Sequence, residues 1–422
     1  MRRTILDPYE DRYARRVFGM RSSVMRDLMS ITQRPEVISL AGGLPDTGAF
    51  DRQVLAELVS QVALEDGAAA LQYGPTEGIR PVVDVIREVM RVEGMDPDPA
   101  NIIVTTGGQQ VLDLFARTFL DAGDVVIAEG PTYPGVVPCF DAVQADVRHV
   151  PLDAEGLDPE RVEAKLDELA REGLRAKYLY TIPTFQNPGG CTTPLARRER
   201  LVELAAERDL IILEDNPYSL LRYEGEPVPT LRSLDRHERV AYLGTFSKIF
   251  SPGVRVGWIE APKPILQRIN LLKQAADLCS SPFTQLIVTR FFSAADGADW
   301  KAWVAKLNGI YRLRRDAMVE AIREHFPAGT DFTPPQGGLF LWATLPGVVD
   351  TTDLLARALE KDVAFVPGRG AYLDGSGSSS MRLNFSAMDE DRIREGIRRI
   401  GEAAGEVLEL ARSLGMDDEG LG

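Results

Sequence analysis

The segment GTFSKIFSPGVRVGW, residues 244–258, places a lysine among small hydroxyl side chains. Lys248 follows an apolar run that predicts a strand, Thr245 and Ser247 lie beside it, and Arg255 follows in a Gly/Pro turn. Hydroxyl groups donate to phosphate oxygens and a guanidinium binds two oxygens at once, so this loop suits a phosphate dianion. A lysine beside a phosphate-bearing aldehyde can form a Schiff base with it. Most lysines are surface residues, so such chemistry requires partners elsewhere in the chain.

Two further segments contain side chains that pyridoxal phosphate would need. In ILEDNPYS, Asp215 lies just past a predicted strand, where a carboxylate could keep a pyridine nitrogen protonated. Tyr218 in the same segment could donate to the phenolate oxygen, and Asn187, in the turn of YTIPTFQNPGG, could reach the same atom. Read alone, Asp215 is more simply a cap or turn former, and Asn187 is an ordinary turn residue. Combined with Lys248, these residues predict pyridoxal phosphate as the cofactor.

Two loops that follow predicted strands could complete the cofactor site. TTGGQQ, residues 105–110, lies between a predicted strand and helix, so the backbone N–H groups of Gly108 and Gln109 could bind the phosphate. This turn has neither the glycine spacing of dinucleotide-binding folds nor that of P-loops. Tyr133, in EGPTYPG, could stack on the cofactor ring, although packing alone explains a tyrosine there equally well.

Two arginines are candidates for binding a substrate. Arg382, in MRLNFS, could hold an α-carboxylate through two parallel hydrogen bonds. Arg21, in FGMRSSVMRDLM, opens a predicted short helix near the N-terminus. Each is otherwise a solvated surface residue.

Alternating strands and helices are expected to position these residues. Strands are predicted at Ile102–Thr105, Val125–Glu129, Asp146–Val150, Tyr178–Ile182, Leu210–Glu214, Arg239–Gly244 and Val254–Ile259, and helices at Val111–Leu120, Tyr133–Ala142, Pro159–Arg171 and Pro194–Arg208, with a long helical stretch from Pro262. Continuous apolar strands alternating with helices predict an α/β fold with a mostly parallel sheet that is covered on both faces.

The last part of the chain has a looser pattern. A long helix, Trp303–His325, precedes isolated strands at Gly338–Ala343, Ala364–Val366 and Met381–Phe385, and a final helix covers residues 389–414. We therefore predict three parts: an N-terminal segment (1–50) that packs on the small domain and the substrate pocket, a large cofactor-binding domain (51–300) and a small α+β domain (301–422).

Composition narrows the function class. The chain has 422 residues and a formal net charge of −15, which argues against nucleic acid as a partner. Three scattered cysteines and three histidines predict neither a disulfide framework nor a metal site. The opening segment MRRTILDPYEDRYARR is charged and lacks an apolar stretch, so no signal peptide is expected, and no uncharged run has the length of a membrane span. A cytoplasmic protein with no membrane partner is the expectation.

In chain order, the motifs resemble the fold-type I, pyridoxal phosphate-dependent aminotransferases of class I and II, and most of all the 2-aminoadipate and kynurenine aminotransferase branch. The matching segments are SLAGGLPD (39–46), LQYGPTEG (71–78), TTGGQQ, EGPTYPG, PTFQNPGG (183–190), EDNPYS (214–219), GTFSKIFSPGVRVGW, PQGGLFLW (335–342) and MRLNFS. The resemblance implies a large, mostly parallel but mixed seven-stranded sheet domain with a smaller α+β domain. It also implies amino transfer from an L-amino acid to a 2-oxo acid, with 2-oxoglutarate as the expected acceptor, by a ping-pong mechanism.

The resemblance also implies roles for individual residues. Lys248 would be the Schiff-base lysine and proton shuttle, and Asp215 would pair with the pyridinium nitrogen. The phenolate oxygen would be bound by Tyr218 and Asn187, with Asn187 also near the substrate carboxylate. The remaining implied contacts are Gly108, Gln109, Thr245, Ser247 and Arg255 around the phosphate, Tyr133 on the ring, Arg382 on the α-carboxylate, Arg21 and Gly43 near the distal group of the substrate, and Tyr73 on the phosphate of the other subunit of a homodimer.

Two positions depart from the family pattern, and two alternatives stay open. Thr245 and Gly107 stand where relatives often have serine. The same cofactor site could catalyse a β-lyase, decarboxylase, racemase or oxidase reaction instead. A non-catalytic effector-binding module is the other alternative, although regulators of that kind carry a winged-helix domain ahead of the motifs, and here the motifs begin near Ser39. Arg21 favours an acidic donor such as 2-aminoadipate, while aromatic and branched-chain donors remain open.

Overall fold

The computed structural model describes residues 7, 9–20, 34–293 and 299–415. Its strands are β1 (Ile38–Ser39), β2 (Ile102–Thr105), β3 (Val125–Gly130), β4 (Asp146–Pro151), β5 (Ala176–Thr181), β6 (Ile211–Asp215), β7 (Val240–Thr245), β8 (Gly257–Glu260), β9 (Asp331–Phe332), β10 (Phe340–Thr344), β11 (Val363–Ala364), β12 (Val366–Pro367) and β13 (Ser380–Asn384). Its helices are α1 (Arg15–Phe18), α2 (Arg52–Glu65), α3 (Gly67–Ala70), α4 (Arg80–Val92), α5 (Gly108–Phe119), α6 (Val137–Val143), α7 (Pro159–Arg171), α8 (Leu195–Glu207), α9 (Leu231–Leu234), α10 (Lys263–Ala276), α11 (Pro282–Phe292), α12 (Trp300–His325), α13 (Thr351–Glu360) and α14 (Glu390–Ser413).

A seven-stranded mixed sheet forms the centre of the structure. Its strands lie in the order β2, β8, β7, β6, β5, β3 and β4, and β8 runs antiparallel to both of its neighbours while the other pairs are parallel. Nearly every residue of β3, β6 and β7 is buried, because helices cover both faces of the sheet. The fold-type I α/β architecture predicted from the sequence is confirmed.

The part of the chain after α11 adds a smaller, antiparallel sheet. Its strands lie in the order β12, β13, β10 and β9, and α12 packs along α14 beside it. The early strand β1 pairs with β11, so Ile38 lies opposite Val363. The segment that contains β1 therefore packs on the C-terminal part of the chain, while the domain boundaries near residues 50 and 300 stay a prediction.

Several helices begin at an aspartate that caps them. The carboxylates of these residues accept backbone N–H groups of the first turn, which otherwise lack a partner: Asp51, Asp158, Asp299, Asp350 and Asp389. Within the described part of the chain, the helices are too short or too polar to cross a membrane.

Two of the predicted elements begin later in the structure than in the sequence pattern. The predicted helix over residues 133–142 begins at Val137, with Pro138 in its first turn, and Tyr133 lies in the preceding turn. The predicted strand Val254–Ile259 begins only at Gly257, because Arg255 has a left-handed φ of 52°.

Two other predictions each combined separate elements. The predicted strand Ala364–Val366 is split between β11 and β12, because the chain changes its pairing partner at Phe365. The long helical stretch from Pro262 is two helices, α10 and α11, and the second starts with a proline in its first turn.

Candidate functional site

The candidate residues gather at one edge of the large sheet. Asp215 is the last residue of β6, Thr245 is the last residue of β7, and the turn at residues 105–108 follows β2. These three strands run in the same direction, so their carboxyl ends meet at one edge. Open α/β sheets bind ligands at that edge.

Lys248 lies in the turn after β7 and is largely shielded from solvent. Its Nζ donates to the carbonyl oxygen of Gly43 at 2.8 Å and lies 6.0 Å from the centre of the Tyr218 ring. Burial lowers the pKa of the Lys248 amine to about 8, and the Arg382 guanidinium adds to this effect while Asp215 opposes it. A lysine of this kind is partly neutral near physiological pH, which nucleophilic and basic chemistry requires.

Asp215 presents a buried carboxylate to the same space. Its Oδ2 accepts a hydrogen bond from Tyr180 Oη at 2.7 Å, across the neighbouring strand β5. Burial raises the pKa of Asp215 to about 7, against the opposing effects of the Tyr180 hydrogen bond and the Lys248 charge. A positively charged ring nitrogen next to this carboxylate would compensate the cost of its burial.

Three polar side chains form a hydrogen-bonded series beside Lys248. Asn187 Nδ2 donates to Tyr218 Oη at 3.2 Å, and Asn187 Oδ1 accepts from Arg382 Nη1 at 3.2 Å. Burial raises the pKa of the Tyr218 hydroxyl, so Tyr218 stays a hydrogen-bond donor. The amide of Asn187 thus links the group expected at the phenolate oxygen to the group expected at the substrate carboxylate.

Arg382 contacts residues from distant parts of the chain. It lies in β13, its Nη2 donates to Ala41 O at 2.9 Å, and its guanidinium stacks 4.4 Å from the centre of the Phe340 ring. Burial lowers the pKa of Arg382 to about 10, which still leaves it charged at neutral pH. An added Cβ on Gly43 would lie 3.2 Å from Phe340 Cζ, so this glycine allows the chain to pass close to the ring.

The turn at the start of α5 fits a phosphate group. Gly108 and Gln109 are its first helical residues, where backbone N–H groups have no partner within the helix. Gly107 has φ 76°, and a Cβ there would lie 2.4 Å from Arg255 Nη2, so the guanidinium directly covers the turn. Anions are bound by combinations of helix N-terminal amides and arginine.

Thr245 and Ser247 add hydroxyl groups beside this turn. Thr245 Oγ1 and Ser247 Oγ lie 2.9 Å apart, and the Ser247 N–H donates to Thr245 Oγ1. Both residues are buried. Threonine in place of serine at position 245 therefore keeps a hydroxyl in contact with its neighbours.

Tyr133 is half-buried in the turn after β3. Burial raises the pKa of its hydroxyl, with the Asp215 charge as the next cause. A Cβ on Gly135 would lie 2.3 Å from Tyr133 Cζ, so the glycine makes room for the ring. The side chain of Gln109 donates to Gly135 O at 2.7 Å, which leaves its backbone as the group available to an anion.

Two further residues were predicted for this site, Tyr73 and Arg21. Tyr73 is 78% exposed and lies on the surface of the chain. Arg21 lies outside the described residues.

Comparison with known proteins identifies the family. The family model described as aminotransferase class I and II matches residues 35–400. The chain belongs to this family. The predictions of the fold-type I class, of an aminotransferase and of pyridoxal phosphate as its cofactor are confirmed.

Individual relatives match over nearly the full chain. Aromatic-amino-acid aminotransferase 1 of Thermococcus litoralis is 42% identical over 401 residues, 95% of either chain. The 2-aminoadipate transaminase of Thermus thermophilus is 37% identical, over 93% of this chain and 96% of that protein. The crystal structure of Pyrococcus horikoshii kynurenine aminotransferase in complex with PMP has a TM-score of 0.90 at 40% identity, covering 96% of this chain and all of that one.

Sequence reasoning missed three contacts in the aminotransferase site. Tyr180 donates to Asp215, Phe340 stacks on Arg382, and the Thr106 hydroxyl in the turn before α5 donates to Asp277. Tyr180 and Phe340 lie within segments already singled out, but their contacts depend on which strands are neighbours. That pairing is a property of the folded sheet.

Proposed function

We propose that the enzyme transfers the amino group of an L-amino acid to a 2-oxo acid, with 2-oxoglutarate as the acceptor, by a ping-pong mechanism. The observation that carries this proposal is that the largely shielded Lys248 lies close enough to Asp215 and Arg382 for both charges to act on its pKa. A carboxylate and a guanidinium that both act on one lysine fit a cofactor ring nitrogen and a substrate carboxylate, respectively.

The cofactor would be held at both ends. Gly108, Gln109, Thr245, Ser247 and Arg255 would hold the phosphate, and Tyr133 would stack on the ring. Asp215 would accept a hydrogen bond from the ring nitrogen, while Tyr218 and Asn187 would bind the phenolate oxygen. When bound, pyridoxal phosphate supplies an aldehyde for amine condensation and a ring that delocalises the electron pair left by proton removal.

Lys248 would do the proton transfer. Its lowered pKa gives a neutral amine at slightly alkaline pH, which can accept a proton from the substrate α-carbon and return it. The hydrogen bond to the Gly43 carbonyl shows that Nζ has a polar resting position when it carries no other bond. Asp215, by keeping its charge beside the ring nitrogen, favours the protonated ring.

Arg382 and Asn187 would orient the donor. The Arg382 fork can hold an α-carboxylate, and Asn187 contacts it from one side while Phe340 stacks on its face. Substrate would then replace the Ala41 carbonyl as a partner of Nη2. A carboxylate held there fixes the donor amine close to Lys248.

We propose a broad donor range that includes aromatic amino acids and 2-aminoadipate. Aromatic-amino-acid and 2-aminoadipate aminotransferases are among the relatives, and the buried contact between Phe340 and Gly43 offers an apolar surface beside Arg382. Arg21 and Gly43 are the proposed contacts for the distal group of the donor, with Arg21 favouring acidic side chains.

A homodimer with shared sites is also proposed. Leu64, Leu71 and Tyr73 are 83%, 87% and 78% exposed, a degree of apolar exposure that a second copy would remove. Tyr73 would reach the phosphate in the partner subunit. Mixing Lys248→Ala chains with Tyr73→Ala chains tests this, because a hybrid dimer contains one intact site and should regain activity. No recovery on mixing would contradict a shared site.

A cytoplasmic location and a role in amino-acid metabolism complete the proposal. The three cysteines are unpaired, as a reducing compartment favours. Fractionation of the host cell tests the location.

Borohydride reduction tests the cofactor linkage. The holoenzyme is reduced and digested, and the peptides are mapped by mass spectrometry. We expect a pyridoxyl adduct on Lys248, and loss of both the adduct and the visible absorbance in Lys248→Ala. Lys263→Ala, at an exposed lysine on the same part of the chain, is the matched control and should keep both. An adduct at another lysine would contradict the assignment.

An amino-donor panel tests the reaction and the substrates. Purified enzyme is incubated with single amino acids, with and without 2-oxoglutarate. Transamination consumes the acceptor in equal amount, whereas a lyase, decarboxylase or racemase does not need it. Arg21→Ala should lower kcat/KM for 2-aminoadipate more than for phenylalanine. An unchanged preference would remove Arg21 from the substrate site.

A further inference from the structure

The turn at residues 105–108, which we call the phosphate turn, is held in place by three groups of Thr106: its N–H, its carbonyl oxygen and its hydroxyl. The Thr106 N–H donates to Gln110 Oε1 at 2.8 Å, and its carbonyl oxygen accepts from Arg255 Nη2 at 3.1 Å. Its hydroxyl donates to Asp277 Oδ2 at 2.8 Å. Every polar group of this residue therefore has a hydrogen-bond partner.

Asp277 is the centre of this support. It lies just after α10 and also accepts from Gln110 Nε2 at 2.8 Å and from Lys273 Nζ at 2.7 Å. Burial raises the pKa of the Asp277 carboxyl, but the hydrogen bonds from Lys273, Gln110 and Thr106 outweigh this and hold its pKa below the usual value. The carboxylate is thus ionised at neutral pH.

Lys273 has no exposed side-chain surface. Besides Asp277, its Nζ donates to Ser280 Oγ at 3.1 Å, and Ser280 Oγ lies 3.2 Å from the Thr106 hydroxyl. A fully buried ammonium is costly unless it is paired. Here the pair also joins α10 to the turn that begins α5.

Position 107 has no side chain that could hold the turn in place, and there is no room for one. Gly107 has φ 76°, and Arg255 occupies the place of its Cβ. A Cβ on Gly257 would lie 2.8 Å from the Gly107 carbonyl carbon, so the backbone of β8 packs directly against the turn. Besides Arg255 and β8, the hydrogen bond between Thr106 and Asp277 holds the turn in place.

We propose that Lys273 and Asp277 are positioning residues for the phosphate of the cofactor: Asp277 holds the Thr106 hydroxyl and thereby the backbone amides of the turn, and Lys273 neutralises Asp277. This rests on the proposed assignment of Gly108 and Gln109 to the phosphate. Neither residue touches the cofactor in this scheme.

The charges make a specific prediction. An ionised Asp277 behind an anion site repels a phosphate, and Lys273 cancels that repulsion. Replacing Lys273 alone leaves an unpaired carboxylate behind the turn. Replacing both residues removes the repulsion again, so the second substitution should repair much of the damage done by the first.

The test compares apoenzyme affinities for pyridoxal phosphate and for pyridoxal, which lacks the phosphate. Both are measured by titrating the Schiff-base absorbance. In Lys273→Met, we expect the preference for pyridoxal phosphate to fall about 10-fold or more, with pyridoxal affinity nearly unchanged. In Lys273→Met/Asp277→Asn, we expect most of the preference to return. A general structural defect would weaken both ligands together and would overturn the proposal.

A second pair of variants covers the case in which Lys273→Met does not fold. Thr106→Val keeps the shape but removes the hydroxyl, and should lower the preference about 5-fold. Thr106→Ser keeps the hydroxyl and should restore it. An unchanged preference in Thr106→Val would overturn the proposal.

Arg255→Ala separates this proposal from the one on which it rests. Its preference for pyridoxal phosphate should fall at least about 10-fold, since a charged hydrogen-bond donor is lost. If Arg255→Ala lowers the preference while Thr106→Val and Lys273→Met do not, only the positioning role fails. If Arg255→Ala leaves the preference unchanged, the phosphate assignment itself fails.

Discussion

Lys248 and Lys273 are both withdrawn from water, but their surroundings differ. Lys248 donates to a neutral backbone carbonyl, that of Gly43, and burial lowers its pKa to about 8. Lys273 donates to the carboxylate of Asp277 at 2.7 Å and to a serine hydroxyl. One lysine is held in a state from which it can lose its proton, whereas the other is held in an ion pair with Asp277.

The difference separates a reacting group from a supporting one. A lysine with a carboxylate at hydrogen-bond distance keeps its proton and gives rigidity, while a lysine whose charge is only weakly compensated can act as a base and nucleophile. The same contrast applies to the carboxylates. Asp215 is supported by the neutral hydroxyl of Tyr180, and Asp277 by an ammonium. Substitutions of the reacting residues and of the supporting residues should therefore change different measured quantities.

The largest expected effect separates the two lysines by activity. Lys248→Ala should lower kcat by about 10³- to 10⁴-fold, since the proton-transfer group is lost. Lys273→Met should keep kcat within about 5-fold when pyridoxal phosphate is saturating, because a positioning residue acts on affinity. Steady-state kinetics at several cofactor concentrations measure both. A comparable loss of kcat in the two variants would remove the distinction between them.

The second effect separates them by stability. Lys273→Met should lower the free energy of unfolding of the apoprotein by about 2 kcal/mol, because the partly buried carboxylate of Asp277 loses its counter-ion. Lys273→Met/Asp277→Asn serves as the control and should be more stable than the single variant. Urea unfolding followed by circular dichroism gives both values. Equal stabilities of the single and double variants would contradict a coupled pair.

The sequence was informative about the reacting group and silent about the supporting one. Lys248, Asp215 and Asn187 lie in segments whose composition suits the chemistry, and motif order gave the family. Lys273 is one of many charged residues in a helical stretch that was predicted as a single long helix. Its role depends on the end of α10 at Ala276 and on Asp277 turning towards Thr106.

The fold shows the same division. Buried parallel strands were predictable because both of their faces are covered, which leaves continuous apolar runs. The start of α6 after Tyr133 and the delayed start of β8 were not predicted. Pro138 lies in the first turn of α6, and the left-handed φ of Arg255 delays β8; a run of apolar residues shows neither feature. Strand adjacency, which brings Tyr180 to Asp215, is set by long-range packing rather than by local sequence.

The third prediction is that substitution of Lys248 raises the free energy of unfolding of the apoprotein, whereas substitution of Lys273 lowers it. Below pH 8, Lys248 of the apoprotein is charged in both the folded and unfolded states, and its burial destabilises the fold. Between a folded pKa of about 8 and the ordinary value of 10.5, the unfolded chain binds more protons, so stability rises with pH. Lys248→Met should therefore stabilise the apoprotein by about 2 kcal/mol at pH 7, a gain that disappears by about pH 10.5.

Thermal unfolding of apoprotein across that pH range checks this sign. Lys263→Met, at an exposed lysine, is the matched control and should show no such pH-dependent difference. A Lys248→Met apoprotein less stable than wild type at pH 7 would mean that the amine is fully compensated, as Lys273 is.

The smallest effect concerns the neutral partner of Asp215. Tyr180→Phe removes the hydroxyl that donates to Oδ2 at 2.7 Å, and the pKa of Asp215 should rise because that hydrogen bond favours the ionised carboxylate. We expect kcat/KM to fall about 5-fold at neutral pH, with the acidic limb of its pH profile displaced to higher pH. Tyr178→Phe, at a buried tyrosine of the same strand that packs on Phe115, is the control and should leave the profile in place. If both variants gave the wild-type profile, the charge of Asp215 would not depend on Tyr180, and its support would have to come from the bound cofactor alone.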